Sequence, residues 1–234
     1  METWLRGLAA TIVSPPKAIL IISAHWEEEE FTLTSGLKPT LIYDYYGFPE
    51  HTYRLKYPAD GAPEIAQEAT RLLTESGIKT RHDAMRGLDH GVFIPLLLIY
   101  PQAQIPVLQL SLKRGLDPAV HIRVGKALAP LREQGVLMLG SGMSYHNLRR
   151  FGPQAAAVSG IFDDWLTRAA CAPNTEERDT ALANWHKAPS AREAHPREEH
   201  LLPLMVISGA AGTDKGRQVF GDRVMGMAIS AYRY

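Results

Sequence analysis

The chain has 234 residues, of which 45% are hydrophobic and 21% charged, a composition that is typical of a globular protein and excludes disordered and collagen-like chains. Lys plus Arg and Asp plus Glu both number 25, and this balance argues against a nucleic-acid backbone or an anionic membrane as partner. The single cysteine, Cys171, excludes a disulfide scaffold and favours a cytoplasmic location. The chain also lacks a signal-peptide pattern and an apolar run of membrane-spanning length.

The first half of the chain alternates between strand and helix patterns. Residues 17–23 form an apolar, β-branched run that predicts a buried strand, which leads to His25 at its C-terminal end. Apolar residues at helical spacing predict a helix within 61–77, between a proline and a terminal glycine. A second buried strand is predicted over 104–112, followed by a helix with Asp117 as its N-cap.

The second half continues the same alternation. A short apolar run over 136–139 predicts a third core strand. Helices are predicted over 155–170, 176–186 and 196–208, and a closing strand over 224–230. Alternating elements of this kind predict a layered α/β fold, with a parallel or mixed sheet covered by helices.

Four of the nine histidines stand at informative positions: the first three follow apolar runs or turn signals, and the fourth leads into an apolar segment, so its ring starts at the edge of the core. They are His25, His90, His146 and His200. Ligands of open α/β sheets bind beyond the carboxyl ends of the strands, and imidazoles from separate segments suit a divalent metal, a general acid/base, or both. Metalloprotease, phosphate-loop and serine-hydrolase motifs are absent. Taken singly, each histidine is more often structural, so the residues alone leave these roles open.

Several short segments, taken together, form a specific series. They include Ile-Ile-Ser-Ala-His-Trp at 21–26, Ile-Tyr-Asp-Tyr-Tyr-Gly-Phe-Pro at 42–49, Gly-Leu-Asp-His-Gly at 87–91, His-Asn-Leu at 146–148 and Glu-His-Leu-Leu-Pro-Leu at 199–204. In this order, they make the sequence resemble the class III extradiol ring-cleavage dioxygenases, specifically the DOPA 4,5-dioxygenase-like (LigB-type) branch. The resemblance covers more than about nine-tenths of the chain.

The resemblance implies one catalytic α/β domain over residues 1–234, with a mixed central β-sheet flanked by helices, and a non-haem metal site. The metal is ferrous iron in active enzymes and sometimes zinc in isolated protein. By matching motifs, His25 and His200 are expected to be metal ligands and His146 the catalytic acid/base. His90 is expected to be a second catalytic residue, which binds substrate or oxygen.

The resemblance also implies the reaction. A catechol-type diol and O2 are the expected substrates, and the ring opens beside the diol. Trp26, Tyr45 and Tyr46 are expected either to line the ring pocket or to pack in the core, and the sequence does not favour one over the other. The hydrophobic loop at 43–49 is compatible with a homodimer.

One departure from the family pattern keeps other functions open. Family members begin with a strand that ends in His-Gly-Ser-Pro, whose histidine is the third metal ligand, and this sequence starts downstream of that motif. We therefore expect weaker metal binding unless another residue completes the set. The alternatives are a zinc-dependent hydrolase that uses His25 and His200, or a catalytically impaired aromatic-binding paralogue.

Overall fold

A computed structural model describes residues 1–234 and divides the chain into two compact units. The sheet unit comprises Glu2–Arg114 and Pro130–Ser141. The helical unit comprises Gly115–Ala129 and Gly142–Tyr234, together with Met1. The expectation of one catalytic domain over the whole chain stays a prediction. No helix combines the length and the apolar character that a membrane crossing requires.

The chain forms nine α-helices and seven β-strands. The helices are α1 (Glu2–Leu8), α2 (Pro63–Glu75), α3 (His90–Ile99), α4 (Pro118–Leu128), α5 (Pro130–Glu133), α6 (Ala156–Ala170), α7 (Thr175–Ala183), α8 (Ala191–Ala194) and α9 (Leu202–Ala210). The strands are β1 (Ala18–Glu28), β2 (Phe31–Thr34), β3 (Thr80–Asp83), β4 (Val107–Lys113), β5 (Val136–Ser141), β6 (Arg217–Val224) and β7 (Met227–Arg233).

Five strands form the mixed sheet of the sheet unit, in the order β3-β2-β4-β1-β5. All neighbouring pairs are parallel except β2 and β4. The β1 side chains from Ile19 to Ile22 are at most 1% exposed, because both faces of this central strand are covered. The predicted α/β fold, with a mixed central sheet and flanking helices, is confirmed.

Strand β1 is longer than predicted and is irregular near its end. Its pairing with β4 shifts register between Ile22 and Glu27, so His25 lies within the irregularity rather than beyond the strand. Side chains alternate in this stretch, with His25 exposed and Trp26 buried. Such irregularities re-aim side chains and are common beside active sites.

The helix boundaries that depend on local signals are confirmed. Helix α2 begins at Pro63 and is followed by Gly77 with φ of 70°, a conformation that glycine adopts without strain. At the start of α4, the Asp117 carboxylate accepts hydrogen bonds from the backbone N–H groups of Ala119 and Val120, at 2.8 and 3.3 Å. This is the predicted N-cap.

Three predicted boundaries are wrong. The predicted helix over 196–208 begins only at Leu202, because the preceding residues form turns. The helix predicted over 176–186 ends at Ala183. The predicted closing strand over 224–230 is instead parts of two antiparallel strands, β6 and β7. Met225 and Gly226 both have positive φ, 52° and 88°, and make the two-residue turn between them.

Helix α4 crosses α9 at backbone contact, and this gives a stability prediction. A Cβ on Gly125 would lie 2.0 Å from the Val206 carbonyl oxygen. Gly125→Ala is therefore expected to lower the free energy of unfolding by about 1 to 3 kcal/mol, because the helices must separate. Denaturant unfolding measures the change. The matched control is Gly7→Ala in α1, where an added Cβ meets nothing within 4 Å. Equal stability of the two variants would contradict this account of the crossing.

Candidate metal centre

The sheet unit brings two of the predicted site histidines together with a carboxylate. His25 comes from β1, Asp44 from the loop after β2, and His90 is the first residue of α3. One ligand atom from each lies within 4.8 Å of the others. The rings of His25 and His90 have centroids 4.0 Å apart. Two imidazoles and one carboxylate are a donor set that suits a divalent transition metal.

Asp44 holds His90 through two contacts to one oxygen. Its Oδ1 accepts a hydrogen bond from the His90 backbone N–H at 2.9 Å and lies 2.8 Å from His90 Nδ1. Burial alone would raise the pKa of the Asp44 carboxyl, but these hydrogen bonds outweigh it and lower the pKa below its usual value. An ionised carboxylate only accepts hydrogen bonds, so His90 Nδ1 carries a proton, and in the neutral ring Nε2 carries the lone pair.

A buried hydrogen-bond network connects the strand and the helix that carry the two histidines of this cluster. Asp89, which is fully buried, accepts a hydrogen bond from Ser23 Oγ at 2.7 Å and another from the Gln109 side-chain amide. Ser23 Oγ in turn accepts the backbone N–H of His25 at 3.2 Å. Arg86 lies 3.4 Å from the second Asp89 oxygen and balances its charge. Asp89 thus ties the irregular part of β1 to the start of α3.

Gly91 provides the space that lets the two histidines approach. A Cβ at this position would lie 2.5 Å from Ser23 Oγ and 2.9 Å from His25 Cδ2. Either contact is shorter than non-bonded atoms allow, so any larger residue would displace the Ser23 hydroxyl and the His25 ring. Close packing against Ser23 and His25 therefore requires a glycine at the end of the Gly-Leu-Asp-His-Gly segment.

The three aromatic residues named from the sequence lie in different surroundings. Tyr45 meets His90 edge-on, with ring centroids 5.7 Å apart, and its hydroxyl donates to the Thr52 carbonyl at 2.6 Å. Trp26 is buried beneath the Arg86 guanidinium. Tyr46 is 93% exposed. A role in lining a ring pocket stays a prediction for all three.

The helical unit brings the other two predicted site histidines together. His146 follows β5 in the chain, and Glu199 and His200 precede α9. Ligand atoms of these three residues lie within 4.8 Å of one another. The two imidazoles stack with centroids 3.3 Å apart and planes 14° apart. His200 is 8% exposed, which matches the prediction that its ring starts at the edge of the core.

Glu199 is the carboxylate of this second cluster. Its Oε1 lies 3.1 Å from His200 Nδ1 and 3.6 Å from His146 Nδ1. Burial alone would raise the pKa of the Glu199 carboxyl, but its interactions with the two imidazoles outweigh burial and hold the pKa well below its usual range. The carboxylate is therefore ionised beside both rings.

Gly142 brings the chain before α9 close to the segment after β5. A Cβ on Gly142 would lie 2.2 Å from the His200 carbonyl oxygen, which also accepts the Met143 backbone N–H at 3.1 Å. The absence of a side chain on Gly142 is therefore what this contact requires. It allows the backbone of His200 to approach.

His195, a fully buried histidine near this cluster, predicts a pH-dependent stability. Its Nε2 donates to the Ser144 carbonyl at 3.0 Å. Burial lowers the pKa of His195 to about 3, although the Ser144 hydrogen bond opposes the shift. Below the unfolded-state pKa of about 6.5, the unfolded chain binds a proton that the folded chain does not, so the free energy of unfolding should fall as the pH falls. The expected slope rises from about 1.0 kcal/mol per pH unit near pH 6 toward its limit of about 1.4 near pH 5, as the unfolded-state histidine becomes fully protonated.

Urea unfolding across this pH window measures the slope. The His195→Asn variant should lose that contribution whatever its absolute stability, because it has no titratable ring. His186→Asn changes an exposed histidine and should keep the wild-type slope. If His195→Asn kept the wild-type slope, buried His195 would not be its source.

The sequence missed the two carboxylates of these clusters. Asp44 and Glu199 both lie within the segments that carry the family resemblance, and Glu199 directly precedes a predicted metal ligand. Ligating histidines commonly donate their second ring nitrogen to a carboxylate, and this is the signal that could have found them. With these partners, the histidine donors of both clusters fit a divalent transition metal.

Comparison with known proteins finds a matching family and similar enzymes. Residues 1–231 match the family described as the catalytic LigB subunit of aromatic ring-opening dioxygenase. A 4,5-DOPA dioxygenase extradiol from Beta vulgaris is 39% identical over 240 residues, covering 100% of this chain and 87% of the relative. The enzyme of the same name from Mirabilis jalapa is 39% identical over 223 residues, covering 94% of this chain and 81% of the relative.

A solved structure shows the same fold. The crystal structure of an uncharacterized protein from Escherichia coli K12 superposes with a TM-score of 0.79 at 28% sequence identity, covering 99% of this chain and 91% of that one. These matches confirm the predicted family and, with it, the predicted class of enzyme, a ring-cleaving dioxygenase. The family also implies a metal cofactor and a small aromatic substrate. The chain therefore belongs to the LigB family of aromatic ring-opening dioxygenases.

Proposed function

We propose that this protein opens the ring of a catechol-type diol with O2 at an Fe(II) site, by extradiol cleavage. The observation that carries the proposal is the grouping of all four predicted site histidines into clusters with a carboxylate, in a chain of this family. Relatives from plants bear the name 4,5-DOPA dioxygenase extradiol, so DOPA is the first diol to test.

His25 and His200 are the proposed metal ligands. Each is an imidazole within a cluster that includes a carboxylate, and the family resemblance assigns ligand positions to both. Iron bound there would supply binding positions for the diol and O2 and a path for electrons between them. The same donors bind zinc, so isolated protein is proposed to hold Zn(II) when iron is lost.

His146 and His90 are the proposed catalytic residues. Histidine is the side chain that exchanges protons near neutral pH, and His146 would accept a proton from the diol and later return one. Its Nδ1 faces Glu199, which leaves Nε2 as the proton acceptor. His90, with its Nδ1 held by Asp44, would bind substrate or O2 through Nε2.

Location and assembly are further proposals. The lone Cys171 supports a cytoplasmic location, since nothing in the chain requires an oxidising compartment. A homodimer is proposed on the loop at 43–49, where Tyr46 and Phe48 are 93% and 60% exposed. Apolar side chains exposed to this extent are typical of contact surfaces when they are clustered.

The test of function is oxygen uptake coupled to ring opening. Protein loaded with Fe(II) under nitrogen is mixed with DOPA or another catechol and isotopically labelled O2. The expected result is one O2 consumed per ring opened, both labelled atoms in the product, and the yellow colour of a muconic semialdehyde. Metal-dependent ester or amide hydrolysis without O2 uptake would instead establish the hydrolase. Tight catechol binding without turnover under any metal would establish the binding paralogue.

A further inference from the structure

One carboxylate oxygen faces two stacked imidazoles in the helical unit. Glu199 Oε1 lies 3.1 Å from Nδ1 of His200 and 3.6 Å from Nδ1 of His146. The two rings are nearly parallel, with planes 14° apart. Both Nδ1 atoms therefore lie on the same edge of the stack, and both Nε2 atoms lie away from the carboxylate.

The chemistry of the contact determines where the ring protons are. An ionised carboxylate accepts hydrogen bonds and donates none, and a neutral imidazole has one N–H. His200 Nδ1, at 3.1 Å, donates a hydrogen bond to the carboxylate and so carries the proton, which leaves the lone pair of the neutral ring on Nε2. The His146 contact, at 3.6 Å, is longer than a hydrogen bond, but the negative charge still favours the same tautomer, because it attracts an N–H and repels a lone pair on Nδ1. Without the carboxylate, each ring would populate both tautomers, and only one of them offers Nε2 to a metal or a proton.

The surroundings of Glu199 hold its carboxylate beside the two histidine rings. The side chain is 14% exposed, so little water competes for its oxygens. Its Oε2 faces Arg197 Nη1 at 3.5 Å, while Oε1 faces the two imidazoles. Glu198, the preceding residue, pairs instead with Arg192 at 2.6 Å.

We propose that Glu199 is a positioning residue that sets the tautomer of both histidines, so that His200 presents Nε2 to the metal and His146 presents Nε2 for proton transfer. This inference rests on the proposed function for the roles of those two nitrogens. In this proposal, Glu199 acts through the two rings and is not itself a donor to the metal. One side chain would thus control the metal ligand and the acid/base together.

The first test measures the tautomers directly, in metal-free protein. Long-range proton–nitrogen NMR spectra of ¹⁵N-histidine-labelled protein distinguish protonated Nδ1 from protonated Nε2 at mildly alkaline pH, where imidazoles are neutral. His146→Ala and His200→Ala assign the signals. Both rings are expected to carry the proton on Nδ1 in wild type and to become tautomer mixtures in Glu199→Gln. The wild-type spectrum does not depend on whether any variant folds. A proton on Nε2 of either neutral ring in wild type would therefore overturn the inference by itself.

The second test measures Zn(II) affinity by competition with a chelator. Glu199→Gln keeps the side-chain shape and removes the charge, and it is expected to weaken Zn(II) binding about 10 to 100-fold, the usual cost of losing a partner that orients a ligating histidine. Glu198→Gln is the matched control and should bind Zn(II) like wild type. The inference would be overturned if Glu199→Gln kept the wild-type tautomers and bound Zn(II) with an affinity within about twofold of wild type. Neither readout needs a catechol or O2, so a failure of the proposed dioxygenase activity would be recognised separately.

Discussion

The His146→Ala variant is expected to lose ring-opening turnover by about 10² to 10⁴-fold while it keeps its bound metal. The reason is that a positioned acid/base contributes to proton transfer in the transition state, whereas His146 is not a proposed ligand. The ring centroids of His146 and His200 lie 3.3 Å apart, so the substitution also removes a ring that stacks on the proposed ligand. Turnover is measured by O2 uptake with a good catechol, and metal content by elemental analysis.

The control for this prediction is His186→Ala. His186 is an exposed histidine of the same unit, next to buried Trp185, and takes no part in the cluster. Its removal should leave kcat and metal content at wild-type values. Full turnover of His146→Ala would show that His146 is a structural histidine and that another group transfers the proton. Loss of metal together with turnover would show instead that His146 is itself a ligand.

The double variant His25→Ala, His200→Ala is expected to bind Fe(II) or Zn(II) more than about 100-fold more weakly than wild type. Loss of one orienting partner already costs about 10 to 100-fold, and this variant removes two direct donors. Elemental analysis after anaerobic loading and chelator competition measure the change. Ring opening should disappear with the metal.

The matched control removes two other histidines, again one from each unit. His82 is exposed on β3, where its ring contacts Thr70, and His186 is exposed before α8. The double variant His82→Ala, His186→Ala should keep wild-type metal content. Unchanged metal content in His25→Ala, His200→Ala would refute these residues as ligands, and the carboxylates Asp44 and Glu199 would be the next donors to test.

The sequence identified the site histidines but not their carboxylate partners. His25, His90, His146 and His200 could be named because each stands in a short segment that resembles the family. Asp44 and His90 are 46 residues apart, and no local pattern reports that their side chains share a hydrogen bond. Such a contact is made by the fold, where the loop after β2 meets the start of α3.

Elements with local signals were predicted, and elements without them were not. Helix α2 has an apolar face at helical spacing, and α4 has Asp117 as its cap, so neighbouring residues alone specify where they form. Helix α3 is apolar on nearly all sides and contains Pro95, so its periodicity gives no helix signal. Strands β2 and β3 have four residues each, too few for an alternation to be recognised.

The sequence by itself determined the family, the order of the main elements and the four histidines, because each depends on residues that are close together in the chain. The tertiary structure decided the rest. Gly91 and Gly142 are needed only because other segments approach them, at Ser23 Oγ and at the His200 carbonyl. The tautomers of the site histidines depend on carboxylates that folding places beside them. Contacts between distant segments arise from packing of the whole core, which no local window of sequence contains.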